Sequence, residues 1–267
     1  MKVYFEIFKI NLKILLFYKW GFYISIILHP LLLILYISIL HSIYANNPNH
    51  IILGYTCTQM IWYFAGISFF YFLVYCNTDK EMSDSVISGD MALRLIKPLS
   101  IMKYEFAKVL SNKVIGFFFE FIPVCIIYVI LIHPDFITFG SVFRYVIITF
   151  FAFLFYFMMS FLIGITSFIW QSVNALQGLK MLIINFAAGA FIPLEFFPVG
   201  VQNVIKMLPF QYILYVPIQF FLNKPETQHW FYFYKVIITL VIWIIIFYVF
   251  CKISLKHMIK KFSSVGG

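Results

Sequence analysis

An all-α integral membrane protein is the fold class this sequence predicts, on three observations. Hydrophobic residues make up 63% of the 267 and charged residues only 11%, against about 45–50% and about 25% in soluble domains. From Trp20 to Thr78 there is no Asp, Glu, Lys or Arg at all. The one long polar stretch, Asn77 to Lys113, holds eleven charged residues in 37. At roughly 20 residues per crossing the length allows several spans and leaves no room for a separate soluble catalytic domain. In such a chain the net charge of +9 belongs beside anionic lipid rather than nucleic acid.

Residues 1–20 predict an interfacial helix. Lys2, Glu6, Lys9 and Lys13 step by four, three and four, which gathers them on one arc of a helix while apolar residues cover the rest. No small-residue cleavage site follows, so the segment is expected to remain in the mature chain. Two spans come next, about 22–44 and about 54–76, separated by the turn-rich Ala45-Asn46-Asn47-Pro48-Asn49-His50. His29 and His41 are the polar exceptions in the first, read as neutral packing or interface positions.

After the polar stretch a third span covers about 114–132. It contains Glu120, the one carboxylate deep in an apolar run, followed by Pro123. A charge there must pair, meet water or be protonated. A functional role and a packing hydrogen bond beside a proline kink are both open. Arg144 precedes a fourth span of about 145–168, and residues 169–180 predict a polar reversal. A fifth apolar segment runs from Met181 to about Ile192 and is short for a crossing. Pro193, Glu195, Pro198, Pro209 and Pro217 then punctuate two amphipathic pieces, about 199–207 and 211–222. Neither spans the roughly 30 Å of hydrocarbon, so both are expected to be outer or re-entrant helices within 193–229. The last span is about 231–251, followed by Lys252, Lys256, Lys260 and Lys261.

With the N-terminus in the cytoplasm, 15 of the 19 Lys and Arg residues fall in inner segments. The positive-inside rule then predicts six spans, both ends cytoplasmic, and a cytoplasmic 77–113 loop. No GxxxxGK(S/T) phosphate loop, HExxH, GxSxG or Cys/His cluster occurs, so no catalytic or metal site is expected. Cys57, Cys76, Cys125 and Cys251 sit in or beside apolar runs and read as small buried hydrophobes. The acids Asp79, Glu81, Asp84 and Asp90 match no calcium loop and read as part of a solvated mixed-charge helix.

The order of these elements resembles the permease subunit of a type-2 ATP-binding-cassette (ABC-2) exporter, over nearly the whole chain as a single transmembrane domain, residues 1–267. The run Ile87-Ser88-Gly89-Asp90-Met91-Ala92-Leu93-Arg94-Leu95-Ile96-Lys97-Pro98-Leu99 is similar to the signature of the small six-span ABC-2 permeases. So are Phe168-Ile169-Trp170, the Gly189 to Pro198 run, Leu208-Pro209-Phe210, Tyr215-Val216-Pro217 and the terminal Gly266-Gly267.

The resemblance implies a non-enzymatic pathway subunit of the cell membrane. It would pair with a second permease, the same or related, and two ATPase subunits that carry ATP and Mg, this chain binding no cofactor. It further implies that part of 79–99 is a coupling helix, with Asp79, Glu81, Asp84, Ser88, Gly89, Asp90, Leu93, Arg94, Lys97 and Pro98 as coupling residues. Gly89 suits a helix boundary and Pro98 a helix end. Val86, Ile87, Met91, Leu93 and Leu95 are then expected to pack underneath. An aromatic content of 22% suits a hydrophobic or amphipathic cargo such as lipid, peptide or drug. A secondary transporter or channel without an ATPase is the alternative, and it would want ion sites in several spans.

Overall fold

The computed structural model describes residues 2–17, 20–45, 51–170 and 172–260; the turn-rich 46–50 segment and Gly266-Gly267 lie outside them. Within this range the chain is helical apart from one small hairpin. Helix α1 (Lys2–Phe17) lies along α6 and is followed by α2 (Trp20–Ala45). The hairpin pairs β1 (Ile51–Ile52) with β2 (Tyr55–Thr56), antiparallel. Leu53 and Gly54 supply two consecutive positive φ angles, 47° and 81°, which a tight two-residue hairpin loop requires. Thr56 then caps α3 (Cys57–Leu73) in a reciprocal capping box with Gln59.

The polar stretch folds into α4 (Thr78–Ile87), α5 (Asp90–Ile96) and the start of α6 (Ile101–Gly116). Helix α6 continues through a π turn, Phe117–Phe121, into α7 (Ile122–Leu131), so 31 residues form one helical rod. The π turn sits just before Pro123, whose ring nitrogen cannot donate to the preceding turn. The widened turn takes up that missing bond where the sequence predicted a kink.

Helix α8 (Phe139–Trp170) is the central rod. It packs against α12 (Trp230–Ile259), α4 and α11 (Tyr215–Phe221). Its Phe155, Tyr156, Phe157, Phe161 and Ile165 are fully buried. At its start Arg144 donates to Gln228 O at 2.8 Å, tying it to the turn that precedes α12. Helices α2 and α12 instead expose many large apolar side chains, as suits elements whose solvent is lipid.

Two boundaries differ from the sequence expectation. Helix α8 runs to Trp170 and α9 (Asn174–Ala187) begins four residues on, so the reversal predicted over 169–180 is much shorter. The fifth segment therefore starts before Met181 and stops at Ala187, ahead of the predicted Ile192. Its 14 residues rise about 21 Å, short of the roughly 30 Å of hydrocarbon. Among the described residues five helices are long and apolar enough to cross a membrane. A sixth crossing is counted only if α10 (Val199–Met207) and the Pro209–Phe221 segment, bent by 77°, act as one span. Four of the prolines stand at helix starts, before or within the first turn, where no intrahelical N–H bond is lost: Pro193 and Pro198 as caps, Pro209 and Pro217 just inside.

Helix α4 crosses α8 at Gly164, where an added Cβ would meet Met82 Sδ at 2.7 Å and Asp79 Cα at 3.2 Å. Overpacking costs about 1–3 kcal/mol, so Gly164→Val is expected to lower the thermal unfolding midpoint of the detergent-solubilised chain. Gly178, mid-α9 with nothing within 4 Å, is the control: Gly178→Ala should leave the midpoint unchanged or raise it.

Candidate coupling site

Helix α3 ends against α6. The Lys113 ammonium donates to the carbonyls of Tyr75, Phe72 (3.2 Å) and Tyr71 (3.4 Å), placing a cation on carbonyls that have no intrahelical donor. The chain then turns into α4. Gly89, at φ +81°, breaks the helix and resets its phase for α5. Lys97 is extended ahead of Pro98, as a residue before proline prefers. Ser100 N donates to Tyr4 Oη at 2.9 Å, which fastens α1 to the same corner.

The inner face of this α4–α5 unit is held by charge. Asp79 Oδ2 lies 2.6 Å from Lys180 Nζ, and the side chains are 0% and 2% exposed. The contact is an ion pair, and among the described residues neither Asp79 oxygen accepts a hydrogen bond. Lys180 spends its donors elsewhere, reaching Ser160 Oγ at 3.3 Å and lying over the Tyr156 ring at 5.2 Å. The pair joins the first turn of α4 to the middle of α9 across α8. A second cluster runs from Glu81 to Lys108 (2.6 Å), Lys108 to Glu105 (3.4 Å) and Glu105 to Arg94 (2.8 Å). Glu105 is fully buried at its centre while Glu81, Arg94 and Lys108 are partly exposed, and the network joins α4, α5 and α6. Asn11 of α1 reaches it at Lys108, its Nδ2 donating to the Lys108 carbonyl at 3.2 Å.

The outer face is free of such ties. Asp84, Ser88, Asp90, Lys97 and Pro98 are exposed, beside Ile87 (56% exposed), Leu93 (62%) and Ile96 (81%). The apolar packing expected beneath the unit is therefore corrected. Val86 and Met91 are buried and Leu95 is partly so, while Ile87 and Leu93 point outward. Seven residues make fewer than two turns, so after Gly89 only Met91 and its i+4 neighbour Leu95 share the inner face of α5.

Glu120 lies in the π turn, folded back over Gly116, where an added Cβ would come within 3.3 Å of its Oε2. Its carboxyl stands on the same side as Lys113. Both line a cavity of about 240 Å³ with Tyr75, Asn77 and Asn112.

At the opposite end of α3, Glu195 Oε1 accepts from Tyr55 (3.0 Å) and Tyr215 (2.5 Å). Gln219 Nε2 donates to Tyr55 Oη at 2.6 Å, and Lys224 stands 3.7 Å from the Tyr55 ring centroid. Burial pushes the Lys224 ammonium below its ordinary range, opposed by the Glu195 carboxylate. Sequence reasoning singled out Glu195 but had no means to supply its tyrosine partners, and it treated Lys180 only as a loop charge.

Removing one partner of a buried ion pair costs about 3–5 kcal/mol. Asp79→Asn and Lys180→Met are each expected to lower the thermal midpoint strongly. The double variant should cost less than the sum of the two, as a double-mutant cycle on the detergent-solubilised chain will read.

No curated protein matches the chain. The family model described as "ABC-2 family transporter protein" matches residues 30–266, which takes in every helix from the Pro30 turn of α2 onward. Members of that family are membrane components of ABC-type transport that work with ATPase subunits and are not themselves enzymes. A helical membrane bundle, a paired-charge unit on short helices and a match over most of its length together make this chain a member of the ABC-2 transporter family.

Proposed function

We propose that the chain is the permease subunit of an ABC exporter and that the outer face of α4–α5 is the docking surface for a separate ATPase subunit. The observation that carries this reading is the two-faced character of the unit. Asp79, Glu81, Arg94 and Lys108 lock its inner face to α6 and α9. Ile87, Leu93 and Ile96 stand exposed among Asp84, Asp90 and Lys97 on the other. Exposed apolar residues rimmed by charges mark an interaction surface, and the charges set register and partner choice more than affinity. Of the ten residues assigned to coupling, Asp79, Glu81 and Arg94 would transmit movement, while Asp84, Ser88, Asp90, Leu93, Lys97 and Pro98 would meet the partner and Gly89 would set the angle between them.

In this reading ATP and Mg bind the partner, and closure of two ATPases tilts α4–α5. The Asp79–Lys180 contact carries that tilt to α9 and the Gly164 crossing carries it to α8. Two permeases, identical or related, form the pathway, with both termini cytoplasmic, α1 along the inner membrane surface, and 193–229 with the Glu195 cluster at the outer side. The distribution of Lys and Arg supports that orientation. The cargo is hydrophobic or amphipathic, in keeping with the aromatic lining of the bundle.

The test is association. Leu93→Asp combined with Ile96→Asp is expected to lower ATPase retention in mild detergent, and transport with it, at least tenfold, with membrane insertion and thermal midpoint unchanged because both side chains are exposed. Val199→Asp, equally exposed on α10, should leave retention intact. Unchanged ATPase retention in the double variant would remove α4–α5 from the docking role. Reversing charge at Asp84 and Lys97 should slow association in a manner that high salt erases.

A further inference from the structure

Away from the coupling unit, α1, α6, α8 and α12 enclose a groove of about 960 Å³. Its walls are apolar, with Phe8, Phe106, Leu110, Phe157, Met158 and Leu255 among them. Three lysines line the same groove: Lys103 near the start of α6, and Lys252 and Lys256 in the last turns of α12. All three are exposed. Among the described residues no carboxylate lies within ion-pair distance of any of them, and the ion pairs there involve other cations. Lys103 and Lys252 are instead held over the rings of Tyr4 (5.9 Å) and Tyr248 (4.8 Å), which keeps both at the groove.

From these features we infer that the groove is a binding site for one anionic phospholipid, bound as a structural lipid and distinct from transported cargo. Charge and geometry agree on the occupant. From Lys103 to Leu110 is seven residues, and from Lys256 back to Tyr248 is eight. Each path runs about 10–12 Å along its helix, so the headgroup phosphate sits among the lysines and the upper acyl chains lie along Phe106, Leu110 and Met158. A neutral lipid leaves three ammonium groups uncompensated. A second copy of the chain would bring its own three lysines to the same place and meet repulsion. Each lysine near a membrane surface strengthens binding of an anionic lipid about fivefold.

The experiment is native mass spectrometry of the detergent-purified full chain titrated with phosphatidylglycerol or phosphatidylcholine of matched acyl chains. The wild type is expected to retain phosphatidylglycerol preferentially. The Lys103→Gln, Lys252→Gln, Lys256→Gln triple variant should lose that retention at least tenfold without changing phosphatidylcholine binding or the thermal midpoint. Leu255→Trp, which fills the groove and leaves the charges alone, should weaken both lipids, and Lys206→Gln on α10 should change neither. The inference is overturned if the wild type shows no headgroup preference, if the triple variant keeps it, or if Lys206→Gln removes it equally. Disulfide formation between two chains bearing Met102→Cys, with the four native cysteines replaced by Ser, would reveal a second copy as occupant and overturn it as well.

Discussion

The buried contact between Asp79 and Lys180 governs the arrangement of the charged half of the molecule. Both groups are withdrawn from solvent, and at that cost they hold position only because each neutralises the other. The geometry around them follows. Gly164 must be a glycine for α4 to come close enough to α8 that Asp79 can reach past it to α9. Ser160 and Tyr156, one helical turn apart on α8, take the remaining valence of the lysine. The Glu81–Lys108–Glu105–Arg94 chain then fixes the roll of α4 and α5 against α6. Two networks thus anchor a short helical pair at three points, and the residues left outside them are the ones free to meet another protein.

The bundle around this unit obeys a different constraint. Lipid offers no driving force for apolar side chains to hide, so close backbone approach and polar links hold the helices together. Gly66 lies against Ile218, and Gly116 against the Phe72 carbonyl. Tyr63 donates to Gly189 O at 2.6 Å and Tyr215 N to Ala188 O at 3.0 Å, which pins the end of α9 between α3 and α11. The permease assignment and the lipid groove both rest on this division between an anchored interior and a lipid-facing exterior.

Much of the fold was legible in the sequence because apolar runs of membrane length have few alternatives. The spans on α2, α3, α8 and α12 follow their runs to within a few residues at most ends, and Gly89 and Pro98 mark the ends of α4 and α5 as their backbone preferences require. The hairpin at 51–56 was not legible, since it spans only two residues per strand. The start of α9 was missed because Asn174 to Gly178 reads as polar turn chemistry while Gln, Ala and Leu in the same stretch sustain a helix. The candidate site was legible as a charged segment and not as an arrangement. Asp79 and Lys180 are 101 residues apart, and nothing local in either neighbourhood names the other. Leu93 and Met91 are chemically alike in sequence, and only the phase set by Gly89 sends one outward and the other in. Lys113, in sequence only the last charge of the polar stretch, serves as the cap of α3.

Helix α9 has an electrical consequence. It covers about 21 Å of a hydrocarbon thickness of roughly 30 Å, and beyond its end come the hydrogen-bonded polar groups of Tyr55, Glu195, Tyr215 and Gln219. Lys180, midway along α9, meets Asp79 with the two opposite charges locked together. A paired charge feels a uniform field only as a dipole, so the contact that anchors α4 also makes it nearly indifferent to membrane potential.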